Sequence, residues 1–169
     1  MRLIILGAGG HGKVVADIAE QTGKYEEISF LDDNSQDVEV LGKCSQYLKF
    51  RSVDTEMYPA FGNNTTRVQW ENKLLEAGIR LAKIIHPLAY VSPLAEVASG
   101  CVIMPYAVVN TGTKIKKACI INIGAMVDHD CILEDGCHLA PGAIVKGENH
   151  LPEGTKIDSG KVVPLQYYS

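Results

Sequence analysis

From Ile85 to Val163 an aliphatic residue returns at every sixth position: Ile85, Val91, Val97, Ile103, Val109, Ile115, Ile121, Val127, Leu133, Leu139, Val145, Leu151, Ile157 and Val163. A small residue stands two places before most of them, at Ala89, Ala95, Cys101, Ala107, Thr113, Cys119, Ala125, Cys131, Cys137 and Ala143. Residues two apart on a strand share a face, so both sets point inward. A six-residue period fits neither an α-helix nor a lone amphipathic strand. It predicts a parallel β-helix, in which short strands coil around a closed triangular core. Glycine falls three before the aliphatic position at Gly100, Gly112, Gly124, Gly136, Gly142, Gly154 and Gly160, where corners need a permissive backbone. Three hexads complete one coil, so residues eighteen apart stack about 4.8 Å from one another along the axis.

The first half has a different pattern. Arg2 to Leu6 reads as a buried strand, followed by Gly7-Ala8-Gly9-Gly10-His11-Gly12 and an amphipathic helix carrying Val14, Val15, Ile18 and Ala19. This G-x-G-x-x-G turn between strand and helix can bring backbone N–H groups to a phosphate. A second strand, Ile28 to Leu31, ends at Asp32 and Asp33, where an acid would meet a ribose or base. A third, Met57 to Phe61, leads through Gly62, Asn63 and Asn64 into a helix that runs past Trp70, Leu74 and Leu75 to Ala77 and stops at Gly78. Gly62 and Asn63 thus lie at the ligand side of an open α/β sheet, although Asn63 or Asn64 would serve equally well as a helix cap. Between Asn34 and Thr55 only a connecting strand near Val40 is legible. Gly9, Gly10, His11, Gly12, Asp32, Asp33, Gly62 and Asn63 are the candidate nucleotide-binding residues. His11 has two readings, a donor to phosphate or sugar oxygen and a plain helix-start residue. The chain divides into an α/β unit, 1–82, with too few strands for a full dinucleotide fold, and a β-helix, 83–169.

Bulk properties narrow the function. Over 169 residues the net charge is −4 and no Lys/Arg run interrupts the sequence, which argues against a nucleic-acid partner. The apolar start, Met1 to Leu6, is too short for a membrane or secretory segment, so a cytoplasmic protein without membrane insertion is expected. Cys101, Cys119, Cys131 and Cys137 occupy inward small positions and read as core fillers rather than metal ligands. Cys44 carries no signal.

Among outward residues of the coil, Asn122, His129, Asp130, His138 and Gly147 carry chemistry. His129 lies two after inward Val127, at a corner, with Thr111 and Gly147 on its column. A histidine beside a residue without a side chain has open space and a backbone N–H one coil away, the two groups that a general base and an oxyanion donor require. Asp130 or Asp128 can hold the imidazole tautomer. A solvated corner histidine is the competing reading. His129 and His138 lack a third histidine at suitable spacing, so no metal is expected. His86, before Pro87, shapes the entry to the coil.

Together, Gly7-Ala8-Gly9-Gly10-His11-Gly12-Lys13-Val14-Val15-Ala16, Phe61-Gly62-Asn63-Asn64, Ile85-His86-Pro87, Val102-Ile103-Met104-Pro105-Tyr106 and Val127-Asp128-His129-Asp130-Cys131 resemble the NeuD/PglD-like nucleotide-sugar acyltransferases across nearly the whole chain. The resemblance implies a Rossmann-like domain holding a nucleotide sugar, then a left-handed β-helix that trimerises. It implies acetyl-CoA as acyl donor in a groove between neighbouring β-helices. It also implies an N- or O-acetyltransferase acting on a UDP-4-amino sugar for surface glycan synthesis. His129 matches the general base and Asp130 the acid after it, Glu in many members. Asn122 and His138 match polar groups of the cleft, with His138 toward the cofactor, and Gly147 matches the donor to the thioester carbonyl. The small-residue rule fails at Asn149, Thr155 and Lys161. The family's extra coils before Leu151-Pro152-Glu153-Gly154-Thr155, and its Pro-Ala-Lys ending, are absent. This shortened end sets up the alternative expectation, a non-catalytic trimeric sugar-nucleotide-binding protein without CoA binding.

Overall fold

A computed structural model describes residues 1–35 and 39–168. It contains two compact units, Met1–Ala82 and Lys83–Ser169.

In the first unit four parallel strands form a sheet of order β2-β1-β3-β4: β1 (Arg2–Leu6), β2 (Glu27–Leu31), β3 (Thr55–Pro59) and β4 (Arg80–Leu81). Leu3, Ile4, Ile5 and Leu6 of the central strand are wholly buried, as an apolar run covered on both faces demands. Helix α1 (Gly10–Gln21) follows β1 and helix α2 (Asn64–Glu76) follows β3. Because β1 pairs with β2 on one side and β3 on the other, the chain order reverses at β1/β3, and the loops after these two strands lie side by side. A Cβ on Gly7 would lie 3.3 Å from the Ala60 carbonyl oxygen.

Three details depart from the sequence reading. The third strand starts and ends two residues early, so Phe61 belongs to the loop. Arg80–Leu81, to which the sequence reading assigns no element, is an edge strand. Val40 makes only an isolated parallel bridge to Phe30, and a 3₁₀ helix, Cys44–Phe50, follows it. Gly78, at φ 69°, ends α2 as expected.

The second unit is a left-handed parallel β-helix. Its two-residue strands stack eighteen apart on three faces. Face I holds Ile84–Ile85, Val102–Ile103, Ile120–Ile121, His138–Leu139 and Lys156–Ile157. Face II holds Tyr90–Val91, Val108–Val109, Met126–Val127, Ile144–Val145 and Val162–Val163. Face III holds Glu96–Val97, Lys114–Ile115, Ile132–Leu133 and His150–Leu151. The predicted aliphatic and small positions make one core, with Ile103, Ile121, Val127, Leu133, Leu139, Val145 and Leu151 fully buried. Truncating one of them to Ala would cost about 2–5 kcal/mol.

The corners repeat as strictly as the strands. Every sixth residue from Gly100 to Gln166 has positive φ, including Tyr106 (60°), Ala118 (58°), Asp130 (55°), Glu148 (58°) and Gln166 (52°). A non-glycine residue there costs roughly 1–2 kcal/mol. The inward small residues do more than fill space. Cys101, Thr113, Cys119, Cys131, Cys137 and Asn149 each donate to the carbonyl fifteen residues on: Lys116 (2.9 Å), Asp128 (2.6 Å), Glu134 (3.2 Å), Lys146 (3.3 Å), Pro152 (3.3 Å) and Pro164 (2.9 Å). Burial pushes the Cys119 and Cys131 thiols above their ordinary values, which suits reduced core residues.

Candidate active site

Two corners of the β-helix flank face II, and the predicted residues divide between them. After face II come His129 and Asp130. His129 Nδ1 lies 2.9 Å from Asp130 Oδ2. An ionised carboxylate only accepts, so Nδ1 carries the proton and Nε2 presents its lone pair. The ring lies against Gly147 one coil on: a Cβ there would come within 2.6 Å of Nε2 and 2.7 Å of Cε1. Only glycine leaves room for the imidazole. The hydrogen bond to Asp130, opposed by some desolvation and helped by Asp128 and Glu148, raises the His129 pKa above its ordinary 6.5.

Asp130 reaches Nδ1 because its backbone is in the left-handed region, which Asp tolerates better than most residues. Its carboxylate lies over Gly112, where an added Cβ would strike Oδ1. Thus Asp130, not Asp128, orients the ring. Asp128 takes the His129 backbone N–H at 2.8 Å and the Asn110 amide at 3.0 Å. These two contacts, the Asn110 bond first, hold its carboxyl below the usual range, with a smaller contribution from the Gly147 N–H. Gly112 and Asn110 had no predicted role in the site. The same eighteen-residue spacing that pairs His129 with Gly147 also pairs Gly112 with Asp130 and Asn110 with Asp128.

Asn122, at the corner before face II, meets His138, an outward residue of the adjoining face I strand, with Nδ2 and Nε2 3.4 Å apart. Within one chain they are not brought to His129. Asn122 Oδ1 also accepts the Ile123 N–H at 2.8 Å. His86 has the local role expected of it, accepting the Leu88 N–H at Nδ1 (2.9 Å).

In the α/β unit, the glycine loop is shaped for close backbone approach. A Cβ on Gly12 would strike the Gly7 carbonyl oxygen, while Gly9 and Gly10 face open space. Gly9 caps α1 without a side-chain bond, leaving first-turn N–H groups directed out of the helix start. His11 Nε2 lies 3.5 Å from the buried Tyr58 hydroxyl, so the ring is backed by β3. Asp32 Oδ2 accepts the Ala8 N–H at 2.7 Å and Oδ1 accepts those of Asn34 and Ser35, both at 2.8 Å. These bonds, Ala8 first, lower its pKa. Asp33 Oδ1 accepts the Cys44 N–H at 3.0 Å. The acidic pair ties the glycine loop and the 3₁₀ helix to the end of β2. Asn63 caps α2, accepting the Thr66 N–H at 2.9 Å, and Gly62 beside it is open. The buried Arg67 donates to the Phe61 carbonyl (2.9 Å) and Asn64 Oδ1 (2.8 Å), fixing this loop from within. No periodicity in the sequence marks a buried arginine on a polar helix.

Among the described residues no group of three or more His, Cys, Asp or Glu could hold a metal. No described helix is long and apolar enough to cross a membrane.

A hexapeptide coil bearing a carboxylate-held histidine over a glycine amide defines a β-helical acyl-transfer class. Comparison with known proteins is specific. Residues 2–74 match the PglD N-terminal domain, and 112–147 match the bacterial transferase hexapeptide (six repeats). The acetyltransferase domain of PglB from Neisseria gonorrhoeae, solved with acetyl coenzyme A, is 39% identical with a TM-score of 0.93. That match covers 98% of this chain and 82% of the other. A mutant of perosamine N-acetyltransferase from Caulobacter crescentus, solved with CoA and GDP-perosamine, is 28% identical with a TM-score of 0.89, covering 98% and 90%. UDP-N-acetylbacillosamine N-acetyltransferase of Bacillus subtilis is 32% identical over 107 residues, which are 59% of this chain and 50% of that relative's length. The chain belongs to the PglD-like nucleotide-sugar acetyltransferases.

Proposed function

We propose that the protein is an acetyl-CoA-dependent N- or O-acetyltransferase for a nucleotide-linked amino sugar, in the UDP-4-amino class, of surface glycan synthesis. The observation that carries this reading is the His129 imidazole, held through Nδ1 by Asp130 and seated over the Gly147 backbone. His129 Nε2 takes the proton from the attacking amine or hydroxyl, and the Gly147 N–H receives the negative charge that develops on the thioester oxygen. Asp130 keeps Nδ1 protonated throughout, so the ring's basic nitrogen is always the one facing the acceptor. The glycine loop, Gly9 to Gly12, together with Gly62 and Asn63, is assigned to the diphosphate and sugar. Asp32 and Asp33 shape the nucleoside end. Known relatives support these roles: complexes with acetyl coenzyme A and with CoA plus GDP-perosamine exist, and two of the perosamine enzyme's mutants alter a single histidine.

We assign a homotrimer. The outward residues of face II are apolar throughout, with Tyr90, Met126 and Val162 exposed and Val108 and Ile144 half-buried. A neighbouring β-helix seated along this face brings Asn122 and His138 of one copy toward His129 of the next, so a groove for the acyl donor is shared. Five free cysteines fit a reducing compartment such as the cytoplasm.

The test mixes purified protein with acetyl-CoA and a panel of UDP- and GDP-linked amino sugars, and follows free CoA. Release with at least one amino sugar is expected. Binding of a nucleotide sugar without release from any acceptor contradicts the enzyme and leaves a sugar-nucleotide-binding protein.

A further inference from the structure

The Lys146–Gly147 peptide unit is held differently from the other site corners. A trans peptide group is planar, with its C=O and N–H opposed, so a carbonyl turned into the core sends the next residue's N–H outward. At three corners that outward N–H is captured by the residue before it: Thr111 N–H by Asn110, Ile123 N–H by Asn122 and His129 N–H by Asp128, each at 2.8 Å. Gly147 follows Lys146 instead, whose ammonium has no lone pair to offer. Its carbonyl partner, Lys146 O, is gripped from two sides, by Cys131 Sγ at 3.3 Å and by Asn149 Nδ2 at 2.7 Å.

Asn149 occupies the inward column of Ala95, Thr113 and Cys131, and it is 1% exposed. Thr113, Cys131 and Asn149 donate to the carbonyl fifteen residues on; Cys131 also turns back to the carbonyl two before it, His129 O, at 3.5 Å, as Asn149 does to Gly147 O at 3.4 Å, but of these three it is Asn149 that also reaches the carbonyl three before it, Lys146 O. Its Oδ1 accepts the Tyr168 N–H at 2.8 Å, which anchors the amide so that Nδ2 stays aimed at Lys146. The residue that breaks the small-residue rule is thus bonded on both ends of its side chain.

We propose that Asn149 is a positioning residue for acyl transfer: by holding the Lys146 carbonyl inward it fixes the Gly147 N–H toward the His129 side. This rests on the assignment of Gly147 as the donor to the thioester oxygen. The weak pull of the Gly147 N–H on the Asp128 carboxylate agrees with an outward amide. Asn149 touches no reacting atom; it acts through one peptide plane.

The experiment uses N149T, which keeps the donation to Pro164 that Thr113 shows the column allows, and N149C as a second variant patterned on Cys131. Melting temperature, kcat, both KM values and hydrogen–deuterium exchange of the Gly147 amide are measured for each. In a folded variant, exchange at Gly147 should quicken and kcat should fall about tenfold or more, within the loss expected for a weakened oxyanion donor, while KM holds. Unchanged exchange at Gly147 overturns the proposal whatever kcat does, and so does unchanged kcat in a folded variant whose amide has loosened. If the wild type transfers no acetyl group but exchange quickens in N149T, the positioning stands and the acetyltransferase reading fails.

Discussion

In the proposed mechanism His129 and Asp130 act as a pair, and pH separates their contributions. A general base must be neutral, so kcat/KM should rise with pH through a midpoint above the ordinary 6.5, because the hydrogen bond to Asp130 favours the imidazolium. Replacing Asp130 with Asn removes that bias and should move the midpoint to lower pH while reducing the plateau. Superimposable profiles for the two proteins would contradict the assignment. At this scale the sequence was half legible. Spacing by eighteen put His129 against Gly147, but could not choose between Asp128 and Asp130. That choice depends on which residue takes the left-handed corner, and the six-residue frame of corner glycines runs through Asp130. Asn149 breaks the small-residue pattern by volume, while what fits it to the column is the set of hydrogen bonds at both ends of its amide, which no spacing rule encodes.

At the scale of elements, corner and loop make separable demands. Gly124 has φ 63° and open space around its missing side chain, so Gly124→Ala should cost about 1 kcal/mol from backbone conformation alone, read by thermal or denaturant unfolding. Gly112→Ala adds a clash with the Asp130 carboxylate, and should lower activity beyond any loss of stability. Equal activities in the two variants would dismiss that contact. In the α/β unit, Asp32→Ala should destabilise by about 1–3 kcal/mol by leaving backbone N–H groups of the loop and turn without their acceptor, and weaken nucleotide-sugar binding measured by calorimetry. Its folded pKa is depressed, so the carboxylate's contribution is complete above the unfolded value and disappears as pH falls through the folded one. Strands and helices here were readable from apolar runs and glycine punctuation. The edge strand Arg80–Leu81 and the 3₁₀ helix were not, because two residues carry no period and Cys44–Phe50 is positioned by Asp33 and by tertiary packing.

For the whole molecule, the proposed homotrimer rests on the apolar face II. Met126→Asp should break the trimer in sedimentation or light scattering and abolish acetyl transfer while leaving each β-helix folded, since the side chain points outward and is 44% exposed. A wild type of monomeric mass would remove the shared groove. The β-helix itself was almost wholly legible because each coil repeats one local rule. The separation of Asn122 and His138, at the edge of face I, from His129 was not, since it follows from the three-face geometry. In the proposed reaction His129 is the base of the acetyl transfer. Steady-state CoA release by wild type and His129→Ala, with the best amino-sugar acceptor, tests it most directly. A fall in kcat/KM of about 10²–10⁴ is predicted for a protein of unchanged melting temperature, and release that persists undiminished would contradict the account.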